Sequence, residues 1–515
     1  MARLLLSATV IATLVSAHAA QPLREDRVAA VLAHYSTSPV ALRVLLQPMP
    51  KGGDLHNHLD GSVYAEDYLQ WASDDGDCIA RADRTITPPP CAPGQVPATE
   101  LVTRDPKFYQ ETIDALSMRN FVPGIGTGET NGHDHAFATF RRFGRVAATH
   151  LGDMLMVTRQ QAWRNNVAYI EQISDPQVAF APELFAANAS TDPATFQAQS
   201  DALAPLLPKL VANARAEYDA AENMMVTRLS CQLPDAPDPA CAVRVHYLYF
   251  VLRTLPPRQV FAQMALGFAL CAADPRFVGV NLVAPEDDPV ALRDFELQMR
   301  MFQFFHARYP KVKLSLHAGE LSLGLVPPSE LGSHIRDTVE IAGASRVGHG
   351  YELPYERDVA GLLKEMAAKT IAVEINLTSN AITPGIVGAE HPLALYRAAH
   401  VPVTLSADDE GVFRIDLTHE YVRAVTEQHL DYHALKQIAR NGLEYSFLPG
   451  QSLWTNGDYA KPVAACAHDT LGGSYPSQAC AAFLRTSEKA QMQWAFERDI
   501  ADYETAVLAG RFTPR

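Results

Sequence analysis

Basic residues are in deficit in this sequence, and the deficit narrows the classes of function that are open to it. The 515 residues include 43 Lys and Arg against 58 Asp and Glu, which gives a formal net charge of −15. Low-complexity tracts and obvious short-period repeats are also absent. Because neutralising the phosphates of a nucleic acid takes clustered Lys and Arg, the composition argues against nucleic-acid binding.

Long hydrophobic runs are scarce, and the one at the N-terminus is short. Residues 1–21, MARLLLSATVIATLVSAHAAQ, combine a basic start at Arg3, an apolar run and a small-residue Ala-His-Ala pattern. This layout is typical of a secretory signal peptide, with cleavage expected after Ala19. A membrane anchor is the alternative, but the run is short for a span and no basic stop signal follows it. The sequence therefore predicts a signal peptide over residues 1–19 and a secreted or periplasmic protein without a membrane anchor.

The CxxC spacing of zinc fingers is absent, although the sequence has seven cysteines. Six of them lie in close pairs that flank polar or Pro-rich segments, as disulfide-closed surface loops would. Loops of this size are each worth roughly 3 kcal/mol in the chain-entropy account of disulfides. Cys271, in the apolar run MALGFALCAA, is left over and is expected to be a buried free thiol. Sequence alone does not fix the connectivity, and the predicted pairs are Cys78–Cys91, Cys231–Cys241 and Cys466–Cys480.

Short β-rich runs recur along the chain and alternate with longer helical or loop segments. Several lack polar/apolar alternation, which is typical of parallel strands covered on both faces. Eight strands alternating with helices predict an α/β fold, a closed (β/α)8 TIM barrel. The alternative is a doubly wound open sheet, but the Gly-rich run at residues 124–132 neither follows a clear strand nor opens a helix. The predicted strands are GDLHNHL, VAYIEQIS, VRVHYLYFVLR, FVGVNLVA, KLSLHAGE, SRVGHG, IAVEINLTS and VPVTLSADDE.

Length does not settle the number of domains, because α/β barrels commonly run long as one domain. We expect residues 20–515 to form a single barrel domain. Residues 20–50 have helical apolar spacing and predict an N-terminal extension. Residues 450–515 predict a C-terminal extension of helices and loops, to which the sequence assigns no role.

Two histidines open the list of candidate functional residues. His56 and His58 lie in the run GGDLHNHLDGS at residues 52–62. Their i, i+2 spacing places both side chains on one face of a strand. A lone HxH pair is more often a polar strand face than a metal site, so the interpretation depends on further ligands elsewhere in the chain.

Such partners follow at the ends of later strands. SLHAGE supplies His317 and Glu320, RVGHG supplies His349 between two glycines, and SADD supplies the adjacent carboxylates Asp408 and Asp409. Adjacent carboxylates repel each other unless a cation or hydrogen-bond donors relieve them. Each residue alone could belong to an ordinary turn. Because the carboxyl ends of barrel strands form the catalytic face, all of them together predict a single site.

Three imidazoles and a carboxylate suit zinc. Zinc lowers the pKa of a water to about 7 and so supplies a nucleophile without a strong base. A nearby carboxyl must then move protons, and Glu320 is placed to do so. These residues predict metal-assisted hydrolysis at an electrophilic carbon, and they do not identify the substrate.

The motifs MPKGGDLHNHLDGS, HAGE, RVGHG and SADD, in this order and at barrel spacing, resemble the adenosine deaminase family. Within it the chain is most similar to the secreted members, including the adenosine deaminase-related growth factors. The resemblance covers roughly residues 47–450. It implies one zinc ion per chain and the hydrolysis of adenosine or 2′-deoxyadenosine to inosine or 2′-deoxyinosine and ammonia. It also implies that the metal ligands are His56, His58, His317 and Asp408.

The resemblance also assigns roles to residues that do not bind the metal. Glu320 would protonate N1 of the purine and shuttle a proton of the water. His349 would orient and stabilise the attacking hydroxide, and Asp409 would contact N7. Asp60 matches a ribose-hydroxyl anchor of the nucleoside enzymes, where related adenine deaminases usually have Glu. An Asp before Gly is otherwise a common turn residue.

Residues 131–143, NGHDHAFATFRRF, carry Phe137, Phe140 and Phe143 at helical spacing. A similar aromatic helix covers the substrate cleft in the family, so Phe137 and Phe140 are candidate substrate contacts. A helix that merely packs on the barrel is the alternative. His133 and His135 form another HxH pair, but without a nearby carboxylate or strand they are expected to be loop histidines.

Three departures from the family pattern bear on substrate preference. NLVAPED has Asn281 where the family has Asp, and Ala284 where it has a Gly whose backbone approaches the purine. The methyl group of Ala284 could crowd the base if φ is positive there. Glu410 follows the Asp pair in place of a Pro, and EINLTSN lacks a common Cys-Pro. None of these departures is expected to touch the metal ligands.

Adenosine or 2′-deoxyadenosine deamination is the leading hypothesis, with a purine nucleoside as the small-molecule partner. A hydrolase acting on another aminopurine or N6-substituted adenine compound is the enzymatic alternative. An extracellular binding or signalling protein of the same fold is the alternative from another class. Glu320 argues for an enzyme, because binding alone needs no proton shuttle. The sequence does not give the oligomeric state.

Overall fold

The structure, a computed structural model, describes residues 23–186, 192–235 and 237–511. The predicted signal peptide, residues 1–19, lies outside these described residues. Within them, none of the helices combines the length and the apolar character needed to cross a membrane.

Eight parallel strands form the central sheet, and all eight coincide with the predicted β-rich runs. Their order in the sheet is their order in the chain, β1-β5-β6-β7-β8-β9-β10-β11. Three short antiparallel strands, which the sequence did not predict, form a separate sheet in the order β3-β2-β4. The strands are β1 (Gly53–His58), β2 (Cys78–Ala80), β3 (Ile86–Thr87), β4 (Gln95–Pro97), β5 (Tyr169–Ile173), β6 (Arg244–Leu252), β7 (Phe277–Val283), β8 (Lys313–Ala318), β9 (Arg346–His349), β10 (Ala372–Ile375) and β11 (Val403–Leu405).

A parallel bridge between Asn57 and Asp408 joins the first barrel strand to the segment after the last one. The amide of Asp408 donates to the carbonyl of His56 at 3.0 Å, and the amide of His58 donates to the carbonyl of Asp408 at 3.2 Å. We call this junction the seam. It confirms the (β/α)8 barrel, and the open-sheet alternative is wrong. The Gly-rich run at 124–132 does open a helix, whose N-cap Asn131 accepts from the amide of Asp134.

Helices surround the sheet, which explains why strands such as β5 and β10 are buried along their whole length. The α-helices are α1 (Arg24–Tyr35), α2 (Pro39–Leu46), α3 (Ala65–Asp74), α4 (Leu101–Arg104), α5 (Pro106–Ala115), α6 (Gly132–Ala147), α7 (Leu151–Arg164), α8 (Pro182–Phe185), α9 (Phe196–Leu203), α10 (Leu207–Arg228), α11 (Pro257–Ala273), α12 (Pro289–Arg308), α13 (His334–Asp337), α14 (Val359–Ala368), α15 (Leu377–Ile382), α16 (Leu393–Ala398), α17 (Glu410–Phe413), α18 (Leu417–Thr426), α19 (Tyr432–Glu444), α20 (Gln478–Leu484) and α21 (Glu488–Leu508).

The two terminal extensions pack together on the barrel. Helices α1 and α2 and the long α21 contribute apolar side chains to the same buried cluster as strands β1 and β11. Arg24 of α1 lies 2.9 Å from Glu504 of α21, and Lys436 of α19 lies 2.7 Å from both Glu25 and Glu504. The predicted helical extensions are therefore present, whereas the division into a single domain stays a prediction.

Three disulfides close short loops, and they are the three predicted pairs: Cys78–Cys91, Cys231–Cys241 and Cys466–Cys480. Cys271 is free, as predicted, but it is half-buried rather than buried. Its Sγ lies 3.4 Å from the carbonyl oxygen of Gly279 in β7.

Candidate metal and catalytic site

The predicted ligands meet at the carboxyl ends of the barrel strands. His58 is the last residue of β1, His317 is the next-to-last residue of β8, and His349 is the last residue of β9. Asp408 follows β11 at the seam, with φ at +59°. Strand order therefore brings residues from distant parts of the sequence to one face of the barrel, as the barrel hypothesis requires.

Ring nitrogens and a carboxylate converge there at short distances. His58 Nε2 lies 3.2 Å from His317 Nε2 and 3.4 Å from Asp408 Oδ1. His56 Nε2 lies 3.7 Å from the same carboxylate oxygen. It is buried and has no hydrogen-bond partner. A buried, orphaned nitrogen beside two further imidazoles and a carboxylate fits a bound cation, because such a group is costly when nothing pairs it.

Each of two histidines is held from behind so that its Nε2 faces this cluster. His56 Nδ1 lies 2.8 Å from Glu374 Oε2, and His317 Nδ1 lies 2.8 Å from Asn281 Oδ1. An acceptor behind a ring fixes the proton on Nδ1 and leaves the Nε2 lone pair for a metal. The expectation that Asn281 would not touch the ligands is wrong, since Asn281 orients His317.

Burial and the neighbouring His56 lower the pKa values of His58 and His317 well below the usual range. Both rings are therefore neutral, which is the form that binds metals.

A row of buried charges lies behind His56. Arg346 bonds to both Glu374 and Glu171, and Ser315 Oγ donates to Glu374 at 2.7 Å. Burial alone would raise the pKa of Glu374, but the charge of Arg346 and the hydrogen bonds from His56 and Ser315 lower it to about 2. The carboxylate behind His56 therefore stays charged at any pH near neutrality.

Glu320 lies on the loop after β8, directly beside the cluster. Glu286 accepts the amide of Glu320 at 2.7 Å and that of Gly319 at 3.3 Å, which fixes the loop. Burial raises the pKa of Glu320 to about 8, with contributions from the charges of Asp408 and Glu286. A carboxyl that holds its proton near neutral pH can act as a general acid.

His349 faces both acidic groups of the site. Its Nε2 lies 3.8 Å from Glu320 Oε1 and 3.8 Å from Asp408 Oδ2. Gly348, which precedes His349, leaves room for a metal-ligand candidate, because a Cβ on Gly348 would come within 2.7 Å of His56 Cε1. His349 itself has φ at +65°, a conformation that non-glycine residues rarely adopt outside functional sites.

Asp409 and Asp60 lie side by side in the wall of the pocket. Gly61 makes this possible, since a Cβ there would come within 1.8 Å of Asp409 Oδ1. That oxygen is buried and has no partner. Burial, and then the charges of Asp408 and Asp60, raise the pKa of Asp409 well above its usual range. The raised pKa favours the protonated form of Asp409, which can donate a hydrogen bond.

Glu410, which follows the Asp pair, is buried. Burial, and then the charges of Asp416 and Asp54, raise its pKa well above the usual range. Glu410 begins the short helix α17, and the amide of Phe413 bonds back to the carbonyl of Asp409.

A cavity of about 740 Å³ opens above the cluster. Its volume lies within the range of small-molecule sites. Phe137 and Phe140 of α6 line it, whereas Phe143 is buried and stacks on Tyr68 at 4.5 Å. Ala284 also lines it and has φ at +81°, the condition under which its methyl group was expected to crowd a base. Among the described residues that line the cavity, none is Lys or Arg.

The prediction for His133 and His135 is wrong in two respects. Both lie in the first turn of α6 rather than in a loop, and both have carboxylate partners. His133 Nε2 lies 3.0 Å from Asp287 Oδ1, and His135 Nδ1 lies 3.1 Å from Glu129 Oε2. His133 therefore ties the aromatic helix to the loop after β7.

The sequence model of the adenosine deaminase family matches residues 208–453, which include His317, Glu320, His349 and the Asp408–Asp409 pair. Together with the barrel and its converging histidines, this match supports the adenosine deaminase family. Residues 208–453 of the chain are similar to that family.

Adenosine deaminases from two bacteria are among the similar proteins. That of Yersinia pseudotuberculosis serotype O:1b (strain IP 31758) is 32% identical over 162 residues, which are 31% of this chain and 45% of the relative. That of Clostridium perfringens (strain ATCC 13124) is 32% identical over 142 residues, 27% of this chain and 40% of the relative. The chain thus spans less than half the length of the curated relatives that it matches.

A solved structure shows the same fold at lower sequence identity. The crystal structure of Arabidopsis ADAL complexed with IMP has a TM-score of 0.53 and 17% identity, covering 89% of this chain and 99% of that one. At this identity the likeness concerns the barrel and not the substrate.

Four residues that hold the site were not predicted: Glu374, Glu286, Asn380 and His391. Glu374 carried a usable signal, because it is a charged residue inside the otherwise apolar strand IAVEI. Arg346 and Glu171 have the same signal in their own strands. A charge inside a strand covered on both faces must be paired, and its partner is then another such charge.

Proposed function

We propose that the protein is a zinc-dependent deaminase that converts adenosine or 2′-deoxyadenosine and water to inosine or 2′-deoxyinosine and ammonia. The observation that carries the proposal is the position of Glu320, a carboxyl with a raised pKa, beside a converging His–Asp cluster in one cavity. The proposed ligands of one zinc ion are His56, His58, His317 and Asp408.

Zinc held by these residues would act as a Lewis acid and lower the pKa of a water molecule. The protein's own groups would do the rest. Glu320 donates its proton to N1 of the purine, which makes C6 electrophilic and open to addition of water. It then takes a proton from the adding water and delivers it to the amino group, which leaves as ammonia, and the second proton of the water returns to Glu320 as the C6 carbonyl forms.

Two further groups would hold the substrate. N7 of a purine is a hydrogen-bond acceptor, and the protonated form of Asp409 supplies the donor that such a contact needs. Asp60 lies in the wall of the same cavity and would anchor a hydroxyl of the ribose. Phe137 and Phe140 would cover the base, and Ala284 would lie against it.

The charge of the cavity supports a nucleoside rather than a nucleotide. Phosphate recognition uses Arg, Lys or backbone amides. The described lining contains the carboxyl groups of Asp60, Asp175 and Glu217 and no Lys or Arg. A phosphorylated substrate such as AMP would find no Lys or Arg to pair with its phosphate there, so we propose that it is rejected.

The size of the cavity favours a second candidate substrate class. About 740 Å³ leaves room for a substituent on N6 of an adenine compound, with the same chemistry and an amine as the leaving group.

We also propose that the mature protein is exported, on the basis of the signal-peptide pattern and the three disulfides, which persist in oxidising compartments.

Ammonia release by the zinc-loaded protein tests the proposal. Adenosine, 2′-deoxyadenosine, N6-methyladenosine, AMP and adenine should be compared, with methylamine measured for the third and a chelated sample as the control. We expect zinc-dependent turnover of the nucleosides and none of AMP. Glu320→Gln should lower kcat by about 10²–10⁴-fold with its zinc retained. Glu504→Gln, which changes a buried glutamate on α21 far from the cavity, is the matched control.

Zinc binding without turnover of any compound would favour the binding or signalling role. Normal turnover by Glu320→Gln would refute the mechanism.

A further inference from the structure

Three buried side chains form a directed chain of hydrogen bonds that ends on His349. It starts at the N-terminus of α16, where the amide of Leu393 lies 3.1 Å from His391 Nδ1. A backbone N–H can only donate, so Nδ1 of His391 is the acceptor and carries no proton. The proton of the neutral His391 ring is therefore on Nε2.

That proton fixes the orientation of the next residue. His391 Nε2 lies 3.1 Å from Asn380 Oδ1, and Asn380 Nδ2 lies 2.9 Å from His349 Nδ1. Turning the Asn380 amide over would set its NH₂ group against the N–H of His391. Asn376 Nδ2 adds a second donor at 3.4 Å from the same nitrogen of His349. Nδ1 of His349 therefore accepts hydrogen bonds and carries no proton.

Water cannot replace any of the three side chains in this series of hydrogen bonds. Asn380 is fully buried, and His391 and His349 are 3% and 1% exposed. Unpaired polar groups at such depth are costly, so the only arrangement that pairs every donor with an acceptor is the one described. Its direction is set by the Leu393 amide.

We propose that Asn380 and His391 are positioning residues that hold His349 in the tautomer with its proton on Nε2. His349 Nε2, which lies 3.8 Å from both Glu320 Oε1 and Asp408 Oδ2, then presents an N–H to the reacting oxygen. His349 is thus a hydrogen-bond donor, neither a metal ligand nor the general base, although one of its ring nitrogens lies within 4.8 Å of a ring nitrogen of His56 and of His317. The inference rests on the proposed function for the identity of the reacting oxygen only.

The first test reverses the direction of the hydrogen bond between Asn380 and His349. Asn380→Asp replaces the donor with a carboxylate, which would accept a proton from Nδ1 of His349 and strip Nε2 of its own. We expect kcat to fall by about 10²–10⁴-fold, as for other wrong-tautomer histidines, with KM within about threefold and zinc content unchanged. The matched control is Asn441→Asp, a buried asparagine that bonds Val403 and Tyr459 away from the cavity. It should lose stability and keep kcat.

A second pair of variants covers the case in which Asn380→Asp does not fold. His391→Gln keeps an N–H for Asn380, and His391→Leu does not. We expect kcat of His391→Leu to be about tenfold below that of His391→Gln at equal zinc content. Equal losses in this pair, or equal losses in Asn380→Asp and Asn441→Asp, would overturn the proposal.

A readout that needs no turnover separates this inference from the proposed function. ¹⁵N NMR of histidine-labelled protein, with the His349 signals assigned by comparison with His349→Gln, reports which ring nitrogen carries the proton. A proton on Nε2 in the wild type, displaced in Asn380→Asp, is expected even if no tested purine is a substrate. A proton on Nδ1 in the wild type would refute the inference while leaving the proposed function standing.

Discussion

Replacement of Glu374 by Gln should separate the support of the metal site from the support of the fold. Glu374 accepts from His56 Nδ1, Ser315 Oγ and Arg346. Gln keeps the shape but removes the charge that balances Arg346 and orients His56. Glu171 lies on the other side of Arg346 and does not touch His56, so Glu171→Gln is the matched control.

The magnitude follows from the pKa of Glu374, which is about 2 against an ordinary value of 4.5. Each pKa unit corresponds to about 1.4 kcal/mol, so the charged form contributes about 3 kcal/mol to the free energy of unfolding. Breaking a buried ion pair by removing one partner typically costs about 3–5 kcal/mol, which agrees. Because the folded pKa is depressed, this contribution is present above about pH 4.5 and is lost as the pH falls towards 2.

Denaturant unfolding at pH 7, with the disulfides intact, should therefore show Glu374→Gln and Glu171→Gln both destabilised. The gap between Glu374→Gln and the wild type should narrow below about pH 4.5. Zinc affinity should fall by about 10–100-fold in Glu374→Gln only, because only that residue orients a ligand. Wild-type zinc affinity in Glu374→Gln, or an equal loss in Glu171→Gln, would refute the reasoning.

Three further outcomes are expected. Asp60→Ala should lower kcat/KM for adenosine by about 10–100-fold through the loss of a charged hydrogen bond, without affecting adenine or zinc content; equal loss for adenine would contradict the sugar anchor. Burial lowers the pKa of His133, but the hydrogen bond and charge of Asp287 raise it to about 9. The ion pair between His133 and Asp287 is therefore intact below about pH 6.5 and is lost as the pH rises through 9. The protection factors of the α6 amides, which correct for the rise of the intrinsic exchange rate with pH, should fall over that range, and in Asp287→Asn they should be low and nearly constant. Ala284→Gly should change the free energy of unfolding by less than about 1 kcal/mol, because relief of a positive φ offsets the entropy of glycine; a larger loss in thermal unfolding would show that the methyl group is needed for packing.

The barrel could be predicted because its eight strands are separate apolar runs, each bounded by helical or loop segments. The sheet of β2, β3 and β4 could not, since its strands have only two or three residues and depend on tertiary contacts around Cys78. The helix over residues 131–143 was predicted from the spacing of its phenylalanines, but the Gly-rich run before it was not expected to open a helix, because the N-cap at Asn131 is a local signal that the glycines obscure.

The residues of the candidate site could be predicted because each is of a metal-binding or acid–base type and lies at or just after the end of a strand. The sequence could not predict the contacts that orient these residues from behind. Asn281 was treated as a substrate residue, yet its oxygen faces His317, and only the register of β7 beside β8 brings the two together. Asn380 and His391 reach His349 from a helix and a loop, where no strand period fixes their direction.

The seam also bears on stability, because it joins two parts of the barrel that lie far apart in the sequence. His56, His58 and Asp408 stand at the two ends of the barrel sequence, and the bridge at Asn57 joins those ends. A cation bound by ligands from both ends would cross-link them and close almost the whole barrel into one loop. The entropy that such a cross-link removes from the unfolded chain grows with the length of the loop. Its binding free energy would then be folding free energy. Chelation should therefore loosen β1 and β11 along their shared edge before β6 and β7, whose pairing is independent of the ligands.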